Sequence, residues 1–359
     1  MLNPLLVRLL RPLSNIYHSL WWLETTFFSH VPFLQYQPKI PVISIGNLTM
    51  GGTGKTPLLL SLLKELLPFH RPAVLTRGYR SPWERDRYFL FGPGPHPEFL
   101  TDESVLIHRH FPGVPVLLGK TRCHNAVMAE SIFRPDVLLL DDGFQYRRLR
   151  QDFRILLWDA TEDPETSELI PAGRLREPLN RLALASCIVM TRTELVSEAT
   201  QIRHLLSLKM LAPRVPVITA RSVCSAPVDF AGNPVSVSGK DGGFLVFSAI
   251  ARPDHFEKTL RQQGLKIGST RWFRDHHQFS EADLQTLAEI SRTQNLGLIC
   301  TEKDLVKIPE EWAQSHNLAT LPLQMVPGDF PDWISALGLN ETLRWKPKPQ
   351  TGHLPGPSI

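Results

Sequence analysis

Eight consecutive residues, Thr49-Met50-Gly51-Gly52-Thr53-Gly54-Lys55-Thr56, combine the group types that hold a nucleoside triphosphate. Small residues let successive backbone N–H groups turn toward phosphate oxygens. A lysine neutralises the β- and γ-phosphates, and a hydroxyl ligates magnesium. Thr49 stands where such loops usually begin with glycine. The flanks suit the chemistry. The apolar run 41–45 precedes the loop, and 57–67 follows it with Leu58, Leu59, Leu62, Leu63 and Leu66 at helical spacing. Strand, glycine-rich turn and helix N-terminus together predict a phosphate loop for ATP across 49–56.

A second constellation is the apolar run 137–140 ending in Asp141-Asp142. A strand that ends in a carboxylate is where nucleotide-binding proteins hold magnesium, here with Thr56. The alternative is a turn whose aspartates cap the next segment. Gly143-Phe144-Gln145 then predicts a tight, shaped loop. Thr101-Asp102-Glu103 opens a helix-like stretch, and on these residues alone N-capping is sufficient explanation. Asp275-His276-His277 suits a general-base pair or a pair of surface histidines, and the local sequence leaves both open.

The elements that must position these groups read as an alternating α/β pattern. Short apolar runs recur at 73–76, 114–118, 137–140, 155–158, 187–191 and 215–218, most separated by helix-length stretches. Continuous apolar strands alternating with helices imply a parallel sheet covered on both faces, with right-handed crossovers. The expected fold is thus α/β, a P-loop NTPase-like core over 37–221. Pro227, Gly232, Pro234 and Gly239 mark 222–241 as a linker carrying a small antiparallel ribbon. A smaller second α/β domain is expected over 242–345, with strands at 244–248 and 298–301 and helices near 253–263 and 281–294. The Pro- and Gly-rich stretch 346–359 reads as a flexible tail.

The chain has 359 residues, 42% hydrophobic and 21% charged, which fits two folded domains. A net charge of +4 is too small to argue for nucleic-acid binding. Basic residues do gather at Arg147, Arg148 and Arg150 and at Arg174, Arg176 and Arg181, as a solvated surface or a site for an anionic substrate. Cys123, Cys187, Cys224 and Cys300 lack metal-type spacing and read as reduced thiols. In 1–36, Leu5, Leu6, Leu9, Leu10 and Leu13 follow helical spacing, with Trp21, Trp22, Phe27 and Phe28 behind them. Arg8, Arg11 and Glu24 interrupt the apolar run, which argues against a spanning helix or a signal peptide. A helix lying in a membrane interface fits, as does one packed on the protein's own core.

Taken together, these stretches resemble the lipid A 4′-kinases (tetraacyldisaccharide 4′-kinases) of Gram-negative bacteria. The resemblance rests on 46–57, Thr76-Arg77-Gly78-Tyr79, Asp102-Glu103, Asp141-Asp142-Gly143-Phe144-Gln145, 171–178, Asp275-His276-His277 and Thr301-Glu302-Lys303-Asp304, in family order over roughly 1–330. It implies transfer of the ATP γ-phosphoryl group to the 4′-hydroxyl of a tetraacylated glucosamine disaccharide 1-phosphate at the cytoplasmic face of the inner membrane. It also implies a catalytic role for Asp102 with His276 as its partner, Lys55 on the phosphates, and magnesium at Asp141 and Asp142. Arg77, Gln145, Arg176 and Glu177 fall in its substrate-side motifs. No obligate protein partner is implied. Two positions depart from the family pattern: Tyr146 replaces a common histidine and Thr101 a common glycine.

The rival readings are a membrane-docked ATPase switch and a non-catalytic nucleotide-binding module. Switch proteins carry a signature lysine just before the paired glycines, and here that position is Met50.

Overall fold

The computed structural model describes residues 4–30, 35–79, 81–92, 100–235 and 242–343. The expected tail at 346–359 lies outside the described residues. The strands are β1 (Val42–Asn47), β2 (Pro72–Thr76), β3 (Tyr88–Leu90), β4 (Val116–Leu118), β5 (Val137–Asp141), β6 (Phe153–Asp159), β7 (Cys187–Thr191), β8 (Val217–Cys224), β9 (Phe244–Ser248), β10 (Ile267–Trp272), β11 (Gly297–Cys300), β12 (Ala319–Thr320) and β13 (Leu323–Pro327). They form one sheet of order β13-β8-β7-β6-β1-β5-β2-β4-β3 and another of order β10-β9-β11-β12. In the large sheet the strands from β8 to β4 run parallel, and both edge strands run antiparallel to their neighbours. The smaller sheet is parallel throughout.

Every position of β1, β2, β5 and β7 is buried, so both sheet faces must be covered. On one face Leu58, Leu59, Leu62, Leu63 and Leu66 of α2 (Lys55–Leu66) pack on Ile43, Ile45, Val74 and Leu139. Burying each such leucine stabilises the fold by roughly 1.5–3 kcal/mol. The other face carries clusters around Trp158, Met190 and Leu208 and around Leu75, Leu138 and Leu140. Register then aligns the chemistry. Ile45 lies opposite Asp141, so the start of the phosphate loop and the carboxylate pair leave the same sheet edge on adjacent strands.

The expected unit 242–345 is divided between the two sheets. Strands β9 to β12 form the small sheet, but β13 crosses back and pairs with β8. Met325 is buried in the α2 cluster, and the Trp333 N–H donates to Glu65 Oε2 at 2.8 Å. The reason is an edge: β8 runs on to Cys224, beyond the expected 215–218, and β13 covers the open row of backbone groups it would otherwise present. Ser222 to Cys224 therefore belong to β8 rather than to a linker. The expected small ribbon appears where Val228 bridges Pro234 and also Thr320.

The N-terminal helix α1 (Pro4–His30) is continuous, and among the described residues no helix is long and apolar enough to cross a membrane. One side of α1 is tied to the core. Arg11 pairs with Glu168 at 2.6 Å, Ser14 Oγ donates to Leu169 O, and Tyr17 Oη donates to Arg176 O. Trp21 turns inward beneath the Arg147 and Arg181 guanidinium groups. Leu9, Leu13, Ile16, Leu20 and Leu23, three or four residues apart, face solvent. One side of this segment is thus packed on the protein, and the other is bare. The side chains of Leu5, Leu6, Phe27 and Phe28 lie outside the described residues.

Candidate active site

The phosphate loop leaves β1 and enters α2 through Gly54 at φ 92°, with Gly51 at φ 106°. Side chains rarely adopt such angles, so glycine there lets the backbone bend its N–H groups inward. Thr49 is buried and paired antiparallel with Leu175. The Met50 N–H donates to Arg174 O at 2.7 Å, and Arg176 N–H donates to Leu48 O at 2.6 Å. The Arg174–Arg176 segment therefore forms a second wall beside the loop. From beneath, Thr191 Oγ1 donates to Thr53 O at 2.9 Å. Gly52 separates the two glycine bends, and Thr56 is buried in the first turn of α2.

Lys55 Nζ lies 3.2 Å from Asp142 Oδ1 and 3.1 Å from Asn47 Oδ1. Arg176 Nη1 lies 3.1 Å from Asp142 Oδ2. Burial pushes the Asp142 carboxyl up, but the charges of Lys55 and Arg176 outweigh it and hold the group at about 2. Asp141 is the opposite case. Burial, then the negative charges of Asp142 and Glu103, raise its carboxyl to about 6. A buried carboxylate crowded by two others is short of positive charge, and its donors are all oxygen. Taken with the Thr56 hydroxyl in the first turn of α2, a set of oxygen donors fits a hard divalent cation such as magnesium.

Thr101 caps the helix Asp102–His110 by accepting from Ser104 N–H at 3.3 Å. Capping thus leaves the Asp102 carboxylate free for other work. Asp102 is buried, and its Oδ2 lies 3.1 Å from His276 Nδ1, on the small-sheet side, after β10. The hydrogen bond to Asp102 raises the His276 imidazole above its ordinary value, against burial. His276 itself adopts φ 61°, with its N–H donating to Ala249 O at 3.0 Å. Its side chain remains 43% exposed, so the pair opens to solvent on the His276 side, while Asp102 is 6% exposed.

Several groups that hold this geometry went unassigned in the sequence. Asp304, fully buried, accepts from Ser248 Oγ, Ala249 N–H and Thr301 Oγ1 and pairs with Lys307 at 2.7 Å. Lys307 Nζ in turn lies 3.6 Å from Asp102 Oδ2. Lys303 pairs with Glu103 at 2.5 Å. Burial alone would raise Glu103, yet Lys303 brings it down to about 2. The available signal was Thr301-Glu302-Lys303-Asp304 directly after an apolar strand, a position where charges face a neighbouring element.

The substrate-side residues divide. Gln145 Nε2 donates to Asn47 O at 2.8 Å, so it lies against the phosphate loop, and Arg176 lies at Asp142. Arg77 Nε is held by Glu84 at 2.6 Å, at the end of β2. Glu177 is 2% exposed and sits between Arg147 and Arg181, both at 3.3 Å. Its carboxylate is engaged inside the protein and does not open to the site.

With this geometry in view, a family model described as tetraacyldisaccharide-1-P 4′-kinase matches residues 6–338. Tetraacyldisaccharide 4′-kinase of Bdellovibrio bacteriovorus is 32% identical over 330 residues, covering 88% of this chain and 94% of that protein. The protein of the same name from Chlorobium phaeovibrioides is 31% identical over 311 residues, covering 84% and 86%. Among solved structures, LpxK from Aquifex aeolicus in complex with ATP superposes with a TM-score of 0.74 at 24% identity. It covers 95% of this chain and 100% of that one, and so shares the fold.

Proposed function

The chain belongs to the tetraacyldisaccharide-1-P 4′-kinase family, and on that premise we propose how its own residues carry out the transfer. It is an ATP-dependent kinase, and its acceptor is the 4′-hydroxyl of a tetraacylated disaccharide 1-phosphate in lipid A biosynthesis. The observation that carries the residue assignment is the 3.1 Å contact between Asp102 and His276, next to Glu103, whose charge reaches Asp141.

In this reading Asp102 takes the proton of the 4′-hydroxyl as its oxygen attacks the γ-phosphorus. The bond between that phosphorus and the β-bridging oxygen breaks, and ADP leaves with the electron pair. A neutral hydroxyl is a poor nucleophile, so a positioned carboxylate base supports the step. His276 donates from Nδ1 and fixes the carboxylate's orientation. Lys55 exchanges Asp142 for the β- and γ-phosphates, while the N–H groups of 49–56 cradle the β-phosphate. Arg176 neutralises charge on the transferring group, and Gln145 braces the loop. Thr56, Asp141 and Asp142 would hold magnesium, which supplies charge neutralisation on the phosphates. Arg77 reaches substrate by releasing Glu84, and Glu177 acts indirectly by holding Arg147 and Arg181. His276 comes from the small-sheet unit, so approach of that unit completes the site and excludes water.

The exposed leucine stripe of α1, with Trp22 beside it, supports docking at the inner-membrane surface on the cytoplasmic face, where the lipid precursor lies. The deciding experiment supplies the full chain with radiolabelled ATP and tetraacylated disaccharide 1-phosphate in mixed micelles. Label on the lipid, dependent on magnesium, is expected. ATP consumption without labelled lipid would turn the reading toward an ATPase switch.

A further inference from the structure

The helix Glu198–Leu211 buries His204, Ser207 and Leu208 and leaves a second apolar stripe bare. Ile202, Leu206 and Met210, each one turn apart, are 53%, 55% and 71% exposed. Single exposed apolar side chains are ordinary, but an aligned row of three marks a contact surface. Arg203, Lys209 and Arg214 are exposed around it, and past Glu198 this helix carries no acidic residue.

We propose that this helix is a second membrane-contact element, docking on an anionic lipid surface beside α1. The proposal rests on the membrane reading of α1 given above. One observation connects the helices: both are tied to one short turn. Arg203 pairs with Asp163 and Ser207 Oγ donates to Glu165, while Arg11 pairs with Glu168 and Ser14 Oγ donates to Leu169 O. The turn Asp163 to Leu169 thus links the two helices. The basic flank of the bare stripe complements anionic headgroups, the composition of helices that lie in a bilayer interface. Two anchors suit a kinase whose acceptor stays in the lipid, because one helix alone leaves the body free to swing about it.

The test is flotation of the full chain with vesicles of phosphatidylglycerol and phosphatidylethanolamine. The variant Ile202→Gln/Leu206→Gln/Met210→Gln changes only solvent-facing side chains, so its melting temperature should match wild type. Its vesicle partition should fall about tenfold or more, comparable with Leu13→Gln/Leu20→Gln on α1. Lys209→Glu should weaken binding only when phosphatidylglycerol is present. Phosphorylation of a short-chain, water-soluble acceptor should be unchanged in all three. Wild-type partition in the triple variant, alongside loss in the α1 variant, overturns the proposal alone. Unchanged partition in both overturns the membrane reading beneath it. If the triple variant instead converts a dimer into a monomer with unchanged partition, the stripe meets a second copy and the proposal fails.

Discussion

Asp102 and His276 are 174 positions apart and meet at 3.1 Å, with Asp102 buried and His276 half exposed. The pairing separates two roles that coincide locally. Thr101 caps the helix, so Thr101→Ala should cost about 1 kcal/mol of stability and leave turnover near wild type. Asp102→Ala should instead lower turnover by about 10²–10⁴ with little change in melting temperature. In the double variant with His276→Ala the losses should not multiply, since groups acting as one unit are non-additive. Full multiplication of the two losses would mean that His276 serves binding or closure rather than the base.

Lys55 is held at the phosphate loop by Asn47 and Asp142 through polar contacts of its ammonium group. Lys55→Ala should therefore fold normally and lose turnover by about 10²–10³ or more, the scale for one preorganised electrostatic group. Arg176 still neutralises Asp142 in that variant, so melting temperature should move little. Near-normal turnover would remove the phosphate loop from the mechanism.

Asp141 carries the pH prediction. Burial, Asp142 and Glu103 raise its carboxyl to about 6, above its ordinary value. Its ionised form therefore costs the folded state stability above that pH. The cost shrinks as pH falls through about 6 and is gone below the ordinary carboxylate value. Asp141→Asn should stabilise the metal-free protein at about pH 8 by about 1–3 kcal/mol. It should also abolish turnover and the thermal shift that magnesium with ATP gives wild type. A variant no more stable than wild type, with an intact magnesium titration, would move the metal site elsewhere.

Glu177 distinguishes a substrate contact from a structural one. It is 2% exposed between two arginines that also cover Trp21. Removing one partner of a buried ion pair costs about 3–5 kcal/mol, so Glu177→Ala should melt far earlier. Assayed at a temperature where it stays folded, it should keep the wild-type KM for the lipid acceptor. A large KM increase in a variant of normal stability would return Glu177 to the substrate.

Much of this protein is written in short-range pattern. Burial on both sheet faces demands continuous apolar runs, so β1, β5, β7 and β9 were readable directly, as was the leucine face of α2. The phosphate loop and the carboxylate pair were legible because their chemistry depends on residues adjacent in the chain. Edge strands were not. Strand β10 has no buried position and includes Gly268, Ser269 and Arg271, so no apolar run announces it. The destination of β13 was set by the open edge of β8, which is a property of the assembled sheet.

By itself the sequence determined a parallel α/β core, its phosphate loop, the strand-end carboxylates and, through motif order, the family. Tertiary structure alone decided that Asp102 faces His276, that Lys303 answers Glu103, that Asp304 braces Ala249, and that Glu177 turns inward to Arg147 and Arg181. Each of these is a charge or hydrogen-bond partnership between distant segments. Spacing along the chain sets which groups share a strand or a turn. Which distant group stands opposite depends on strand order and register, and those are settled only when the whole hydrophobic core closes.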